Sequence, residues 1–550
     1  MELSPTGHLD TFARDNLPPD DQWPVLEFTN DDVVYPDRLN AATALIDEPT
    51  ARLGPDRLAL TTPEGQRWTY GQLLERANQV ARVLVDDHGL VPGNRVLLRA
   101  PNNPWLVAAW LGTLKAGGVV VTTMPLLREA EVDKLIELTK PTVAITDHRF
   151  IDDIVTPARA HGVSLIAYGG ERDEDLTRTT ATKQTTFDDV ATAADDVALL
   201  CPTSGTTGAP KVTMHFHRDI LIIADTFARH ILKIRPDDVC TCSAPLAFTF
   251  GLGALVVFPL YFGAASLMVE KAAPIALAEY AAAAGVTVFY TAPTAYRVIV
   301  KEGRADLLAD VRLAVSAGEH LPQQTRDAVY EATGLRLIDG IGGTEMLHVF
   351  ISAAGDDIRP GAVGRPVPGF RAVILDEDGN ELGDNEPGRL AVRGPLGCRY
   401  LNDIRQGDYV INGWNVTGDT FYRDEDGYFV YQSRSDNMIV SSGYNIGAPE
   451  VETAINEHPD VLESAVVAKP DETRGSLVTA FIVVREGVEA GPAKVKEIQD
   501  FVKTQIAPYK YPREIRFVDE LPKNPSGKLQ HYRLRDQLRQ ETQQRTPEAV

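Results

Sequence analysis

Apolar runs of strand length alternate with helical segments through most of the chain. Residues 70–87 place apolar side chains at helical spacing, residues 105–115 form a second predicted helix, and runs at 95–99 and 118–122 have strand length. Further apolar runs lie at 143–146, 164–167, 286–290 and 313–316. Strands that alternate with helices form parallel sheets covered by those helices. The pattern predicts an α/β fold of helix-covered mixed or parallel sheets.

The pattern changes at about residue 363. Short alternating segments with Asp-Gly and Asn-Gly turns predict a β-barrel-like subdomain over about 363–434. Residues 435–550 then return to a compact alternation of helices and strands, long enough for an independent small α+β domain. We therefore expect a large N-terminal domain at 1–434 and a small C-terminal domain at 435–550.

The chain is acidic. Its 550 residues carry 54 Lys and Arg against 77 Asp and Glu, a formal net charge of −23. Binding of nucleic acid or of an anionic membrane relies on basic patches, so the charge argues against both partners. A polyanionic small ligand would need local positive charge at its site.

Three features predict a cytoplasmic protein. Residues 239–269 lack charge, but their Pro and Gly residues would break a lipid-exposed backbone, so we expect a buried strand-and-turn region there. The N-terminus has no basic start followed by an apolar run, and no signal peptide is expected. The four cysteines form no CxxC pairs, which favours reduced thiols.

A loop rich in Gly, Ser and Thr is the strongest local motif. Residues 203–211 have the sequence TSGTTGAPK and follow the apolar run at 197–201. The glycines allow close backbone approach, the hydroxyls and backbone N–H groups form a nest for anions, and Lys211 adds a cation. The GxxxxGK[ST] loop, the dinucleotide fingerprint, HExxH and GxSxG are all absent from the sequence. The motif predicts an anion-binding loop at the end of a strand.

The loop and the segments after it resemble the adenylate-forming superfamily, which includes acyl-CoA synthetases, free-standing adenylation domains and luciferases. The resemblance runs in order and spacing from about residue 35 to residue 528. It implies that the chain uses ATP and Mg²⁺ to convert a carboxylic acid into an acyl-adenylate. The acyl group would then pass to the thiol of coenzyme A, with release of AMP and pyrophosphate.

The resemblance assigns the phosphate-binding and catalytic residues. In the segment DGIGGTE at 339–345, Thr344 would bond a phosphate and Glu345 would be the metal ligand, since carboxylate oxygens suit Mg²⁺. Lys528, in the C-terminal segment PKNPSGK, would be the adenylation lysine and supply positive charge at the α-phosphate. The implied ATP- and phosphate-binding residues are Thr203, Ser204, Gly205, Thr206, Thr207, Gly208 and Lys211.

Further motifs would hold the adenosine part of ATP. Asp419 would grip the ribose hydroxyls, because a carboxylate suits two neighbouring hydroxyl donors. The family form has an aromatic residue where Ile341 stands, so we expect weaker adenine stacking or stacking from elsewhere. The implied adenine- and ribose-binding residues are Ala317, Gly318, Glu319, Asp339, Gly340, Asp419 and Arg434.

The segment SSGYNI at 441–446 resembles the strand that lines the pantetheine tunnel. It implies that Gly443, Tyr444 and Asn445 bind coenzyme A. Asp436 stands at the matching hinge position between the two domains, and the small domain is expected to be mobile. Its swing would remove Lys528 after adenylation and bring in the coenzyme A-binding strand.

Three segments resemble the benzoate-CoA and 2-aminobenzoate-CoA ligase branch more than the fatty-acid branch. They are residues 210–219, residues 340–348, and residues 102–104 together with 115–118. The implied acyl-pocket residues are Phe248, Thr249, Phe250, Phe258, Ile341 and His348. That branch usually has Ala-Tyr where Thr249 and Phe250 stand, so the ring substituent stays open.

Three alternatives remain beside an aryl-acid–CoA ligase. The acyl group would pass to a carrier-protein thiol in one, and the acid would be medium-chain or of another class in the second. The third, a nucleotide sensor without chemistry, is disfavoured because Lys528, Glu345 and Asp419 are all present. The sequence does not fix the oligomeric state, and a homodimer stays open.

Overall fold

The structure is a computed structural model that describes residues 3–203, 210–319, 321–434, 438–522 and 529–545. The strands up to residue 366 are β1 (Leu58–Thr61), β2 (Arg67–Thr69), β3 (Arg95–Arg99), β4 (Val119–Thr123), β5 (Val143–Asp147), β6 (Ser164–Tyr168), β7 (Val197–Thr203), β8 (Lys211–Phe216), β9 (Val239–Cys242), β10 (Ala265–Leu267), β11 (Val288–Thr291), β12 (Leu313–Ser316), β13 (Leu337–Gly342), β14 (Val349–Ser352) and β15 (Arg365–Pro366). They form two large sheets, as the alternating pattern predicts.

The two sheets are mixed but mostly parallel. The six-stranded sheet has the order β6-β5-β3-β4-β7-β8, and only β8 is antiparallel to its neighbour. The nine-stranded sheet has the order β15-β14-β13-β12-β11-β9-β10-β1-β2. Its strands from β13 to β1 are parallel, while β2, β14 and β15 pair antiparallel.

One apolar core lies between the two sheets, and each sheet has a separate core on its other face. In β3, Val96 and Leu98 belong to the shared core, while Leu97 belongs to the outer core of the six-stranded sheet. In β11, Tyr290 belongs to the shared core and Phe289 to the outer core of the nine-stranded sheet. The faces alternate because successive side chains of a strand point to opposite sides.

Helices cover these sheets. The helix α3 begins at a capping box between Thr69 and Gln72. Gly112 of α4 brings that helix close to α3, since a Cβ there would lie 2.7 Å from the carbonyl oxygen of Ala77. The helices of this part are α1 (Phe12–Asp15), α2 (Glu48–Leu53), α3 (Tyr70–Arg82), α4 (Pro104–Lys115), α5 (Glu129–Thr139), α6 (Asp152–Ala160), α7 (Leu176–Ala181), α8 (His217–Ile223), α9 (Thr249–Leu252), α10 (Phe258–Phe262), α11 (Pro274–Ala283), α12 (Pro293–Lys301) and α13 (Gln323–Thr333).

The rest of the chain forms smaller sheets. An antiparallel sheet contains β16 (Arg371–Leu375), β17 (Gly388–Arg393), β18 (Val410–Ile411), β19 (Trp414–Arg423) and β20 (Phe429–Arg434), with α14 (Gln406–Tyr409) beside it. The C-terminal part pairs β21 (Met438–Ser441) with β22 (Tyr444–Gly447). It also contains a three-stranded sheet of β23 (Val461–Asp471), β24 (Gly475–Val484) and β25 (Glu514–Phe517), and the helices α15 (Ala448–Asn456), α16 (Pro492–Gln505) and α17 (His531–Arg545).

The uncharged segment at 239–269 is buried, as expected, but the prediction of strands and turns was wrong for its middle. Helical turns run from Thr249–Leu252 through Gly253–Val257 to Phe258–Phe262. A helix buried on all sides has no polar face, so periodicity cannot distinguish it from a buried strand. None of the helices in the described part of the chain is long and apolar enough to cross a membrane.

Candidate active site

A cavity of about 990 Å³ lies at the carboxyl ends of β9, β11, β12 and β13. Ser243, Thr291 and Ala317 line it at or just beyond the ends of three of these strands. In open α/β sheets ligands bind at this edge. The C-terminal part contributes residues 440, 442–445, 505, 506, 509 and 510 to the lining, so the cavity lies between the two parts of the chain.

The cavity gathers most of the predicted site residues that the structure describes. Those that line it are Thr203, Phe248, Thr249, Phe250, Ala317, Gly318, Glu319, Asp339, Gly340, Ile341, Thr344, His348, Asp419, Gly443, Tyr444 and Asn445. Lys211, Glu345 and Phe258 are described and lie behind this lining. Arg434 in β20 pairs with Asp419 in β19, while its side chain is outside the described part. The predicted residues outside the described part are Ser204, Gly205, Thr206, Thr207, Gly208, Asp436 and Lys528.

Lys211 and Glu345 are joined through the phenol of Tyr400. The ammonium of Lys211 donates to the Tyr400 hydroxyl at 2.9 Å, and the hydroxyl donates to Oε1 of Glu345 at 2.6 Å. Tyr400 is fully buried. Burial and the negative charge of Glu345 raise the pKa of Tyr400, so its hydroxyl keeps the proton that it donates.

The turn that carries Thr344 and Glu345 is held by a buried histidine. His215 lies in β8, two residues from Thr213 and four from Lys211. Its Nε2 lies 2.8 Å from the backbone oxygen of Thr344, and because a carbonyl only accepts, Nε2 carries the hydrogen. Burial lowers the pKa of His215 to about 4, so the ring is neutral near pH 7.

Two carboxyl groups border the predicted adenine site. Burial raises the pKa of Asp339 to about 7, against the opposing charge of Arg326. Burial also raises the pKa of Glu319, whose Oε1 accepts from the backbone N–H of Gly443 at 2.6 Å. Gly318 and Gly443 both have positive φ, +87° and +80°, and their backbones meet there. This contact joins the predicted adenine segment to the C-terminal part.

The predicted acyl pocket ends at a wall of aromatic side chains. The rings of Phe250 and His348 stack with centroids 5.7 Å apart, and Phe258 contacts His348 edge-on at 4.7 Å. Phe227 packs against the same imidazole at 5.4 Å. Gly253 makes room for it, because a Cβ there would lie 2.5 Å from His348 Cδ2 and Nε2. Burial lowers the pKa of His348 to about 3, so the wall is uncharged.

The C-terminal part closes the cavity through a buried lysine. Nζ of Lys510 lies 2.6 Å from a carboxylate oxygen of Glu131 in α5 and 2.6 Å from one of Glu450 in α15. Burial disfavours the charged ammonium, but the negative charges of Glu450 and Glu131 outweigh it, and the pKa of Lys510 is raised. The ring of Tyr444 also meets Phe248 edge-on at 6.1 Å.

Known proteins show the same architecture. The family described as AMP-binding enzyme matches residues 48–399, and the AMP-binding enzyme C-terminal domain matches residues 450–528. The chain belongs to the AMP-binding enzyme family. This AMP-binding enzyme is an acyl-CoA ligase of the adenylate-forming superfamily, as the motifs predict, and its family is one of ATP-dependent CoA ligases.

Relatives whose names give different acids have similar sequence identity to this AMP-binding enzyme. It is 36% identical to the benzoate–CoA ligase of Thauera aromatica, over 92% of this chain and 97% of that one. It is 31% identical to the acetyl-coenzyme A synthetase of Bacillus subtilis, over 90% and 89%. A solved anthranilate CoA ligase in complex with anthranoyl-AMP superposes with a TM-score of 0.71 at 31% identity, covering 92% of this chain and 99% of that one.

Sequence reasoning did not identify Tyr400, His215 or the pair of Glu131 and Lys510. Tyr400 follows Lys211 by 189 residues, and Lys510 follows Glu131 by 379, so no local spacing joins them. The position of His215 could have been predicted from the sequence. Alternate residues of a strand share one face, so His215 lies on the same face of the strand after the loop as Lys211.

Proposed function

We propose that this ligase activates a small aromatic carboxylic acid of the benzoate or 2-aminobenzoate type and transfers its acyl group to coenzyme A. The closed aromatic end of the acyl pocket carries this proposal. Phe227 and Phe258 pack behind His348, so a long chain finds no continuation there, whereas a flat ring fits between apolar walls. Because the imidazole of His348 is neutral, it offers no positive charge to a carboxylate at this end of the pocket. The carboxylate of the acid would therefore point the other way, toward ATP.

In the first half-reaction, Lys211 and Glu345 act at the phosphate end. Glu345 offers carboxylate oxygen, the ligand type that Mg²⁺ prefers, and the bound ion would supply positive charge at the phosphates. Lys211 and the loop that precedes it would hold the departing pyrophosphate. Lys528 would hold the α-phosphate while the acid's carboxylate attacks it. Positive charge at that phosphate stabilises the charge that develops as the acyl-adenylate forms.

In the second half-reaction, residues of the C-terminal part exclude water and admit the thiol. We propose a domain boundary after residue 434 and a hinge at Asp436, between the end of β20 and the start of β21. The contact of Gly443 with Glu319 and the edge-on contact of Tyr444 with Phe248 support a role of this arrangement in thioester formation. Water excluded at this stage cannot hydrolyse the mixed anhydride.

A cytoplasmic location is part of the proposal. Its support is the state of the cysteines, since Cys201, Cys240, Cys242 and Cys398 are all buried and free. Free thiols persist in reducing compartments.

An acid panel tests the function. AMP release would be measured with ATP, Mg²⁺ and coenzyme A on benzoate, 2-aminobenzoate, hexanoate and acetate. We expect thiol-dependent AMP release with kcat/KM about tenfold or more higher for an aromatic acid than for hexanoate. AMP release with acetate or hexanoate alone would contradict the aromatic assignment. Much faster loading of a phosphopantetheinyl carrier protein than of coenzyme A would favour the carrier-protein alternative.

A further inference from the structure

A buried phenol that no sequence motif identified, that of Tyr400, lies behind the lining at the phosphate end of the cavity. The Tyr400 hydroxyl donates to Oε1 of Glu345 at 2.6 Å and accepts from Nζ of Lys211 at 2.9 Å. The same ammonium lies 4.6 Å from the centre of the Tyr400 ring. A single side chain therefore holds both the carboxylate and the cation of this end.

The position of Tyr400 is fixed by its own backbone. Residues 399–401 run antiparallel beside β8, with hydrogen bonds from Met214 N to the oxygen of residue 399 and from Leu401 N to the oxygen of Val212. The backbone N–H of Tyr400 donates to Oε1 of Gln406 at 2.8 Å. Since β8 also contains Lys211, the backbones that carry the phenol and the ammonium are hydrogen-bonded to each other.

The residue before Tyr400 anchors the same segment. Arg399 and Asp219 are fully buried, and Nη2 of Arg399 lies 2.5 Å from Oδ2 of Asp219. Separating the partners of a buried ion pair would leave an unpaired buried charge, which is strongly destabilising. The pair therefore holds this segment in place. This ion pair and the backbone hydrogen bonds to β8 fix the backbone from which the phenol extends.

We propose that Tyr400 is a positioning residue for MgATP, acting through Glu345 and Lys211. Its hydroxyl stands between the ammonium and the carboxylate, which would otherwise neutralise each other in a direct ion pair. With Oε1 bonded to the phenol, Oε2 of Glu345 stays available as a metal ligand. This inference rests on the proposed roles of Glu345 and Lys211 in the adenylation half-reaction.

The substitution Tyr400→Phe removes the hydroxyl and keeps the ring and its packing. A hydrogen bond to a charged group is worth roughly one to two orders of magnitude in an equilibrium. We therefore expect the Mg²⁺-dependent gain in ATP affinity, measured by calorimetry with and without Mg²⁺, to fall about tenfold or more. KM for MgATP should rise similarly, while KM for the acid and thioester formation from supplied acyl-adenylate stay unchanged.

A matched control is Tyr35→Phe. Tyr35 donates to Oδ2 of Asp225 at 2.7 Å away from the cavity lining, so the control loses the same kind of bond. It should lower the melting temperature and leave the Mg²⁺-dependent affinity for ATP intact. In a Lys211→Met background, Tyr400→Phe should have a much smaller effect, because the direct ion pair can no longer form.

Two results would overturn the inference. One is an unchanged Mg²⁺-dependent affinity for ATP in folded Tyr400→Phe protein, judged by its melting curve and its intact second half-reaction. The other is equal weakening of ATP binding in the Tyr35→Phe control. The calorimetric readout needs no acid, so a failed acid panel with a lost Mg²⁺ effect would refute the aromatic substrate and leave the role of Tyr400 standing.

Discussion

The substitution Glu131→Gln tests whether the contact with Lys510 holds the C-terminal part in place for thioester formation. Glu131 lies in α5, and its Oε1 lies 2.6 Å from Nζ of Lys510. Gln has nearly the same size and still accepts from the backbone N–H of Arg128, which Glu131 does at 2.9 Å, so the start of α5 is preserved. The change removes one negative charge and leaves Glu450 paired with Lys510.

The size of the effect follows from the burial of the contact. The side chains of Glu131 and Lys510 are 11% and 6% exposed, so water screens the pair weakly. A hydrogen bond to a charged group contributes about 1.5–3 kcal/mol. Because about 1.4 kcal/mol corresponds to a factor of ten, losing it shifts the population away from this arrangement by about 10- to 150-fold.

The two half-reactions separate this effect from general damage. Thioester formation from supplied acyl-adenylate and coenzyme A, measured in single turnover, should slow by about tenfold or more. Pyrophosphate exchange, which reports adenylation, should be unchanged or faster. Glu129→Gln is the matched control, because Glu129 is an exposed neighbour in the first turn of the same helix and its loss should alter neither rate. Equal slowing of both half-reactions, or no slowing of either, would refute the reasoning.

Three further predictions use single substitutions. Lys528→Ala should abolish pyrophosphate exchange and spare thioester formation from supplied adenylate; equal loss of both would contradict its proposed role. Asp339 is protonated more readily in the folded chain than when unfolded, so wild-type stability should fall by about 2–3 kcal/mol relative to Asp339→Asn between pH 5 and pH 8. Parallel melting temperatures across that range would contradict the raised pKa. Gly253→Ala should displace the His348 ring and raise KM for the aromatic acid about tenfold, with KM for MgATP unchanged in steady-state assays; an unchanged KM for the acid would contradict the pocket.

Local sequence patterns predicted the strands of the α/β part well. The runs at 95–99 and 313–316 coincide with β3 and β12, and the predicted helix at 105–115 starts one residue late against α4. Those segments are short, apolar and bounded by turn residues, so the pattern has one interpretation. The segment from Gly253 to Val257 lacked such a boundary, and its helical form depends on the surrounding core.

Some residues of the candidate site could likewise be placed from local sequence patterns, and others could not. Ala317, Gly318 and Asp339 follow or belong to parallel strands, so their meeting at one edge of the sheet follows from topology. Phe258 was expected in the acyl pocket but lies behind His348, because helical turns rather than a strand lead to it. The bridging role of Tyr400 depends on a long-range antiparallel pairing with β8, which local sequence patterns do not contain.

The chain has a net charge of −23, which would repel a polyanionic substrate, but three carboxyl groups at the site have their charge reduced or hydrogen-bonded. Glu345 is engaged by the phenol of Tyr400, Asp339 gains a proton near neutral pH, and Glu319 accepts from the backbone N–H of Gly443. The last of these donors belongs to the C-terminal part. In the proposed hinge movement Gly443 would leave, and Glu319 would lose a hydrogen bond that stabilises its negative charge. The proposed movement would therefore couple the charge beside the predicted adenine site to closure of the cavity.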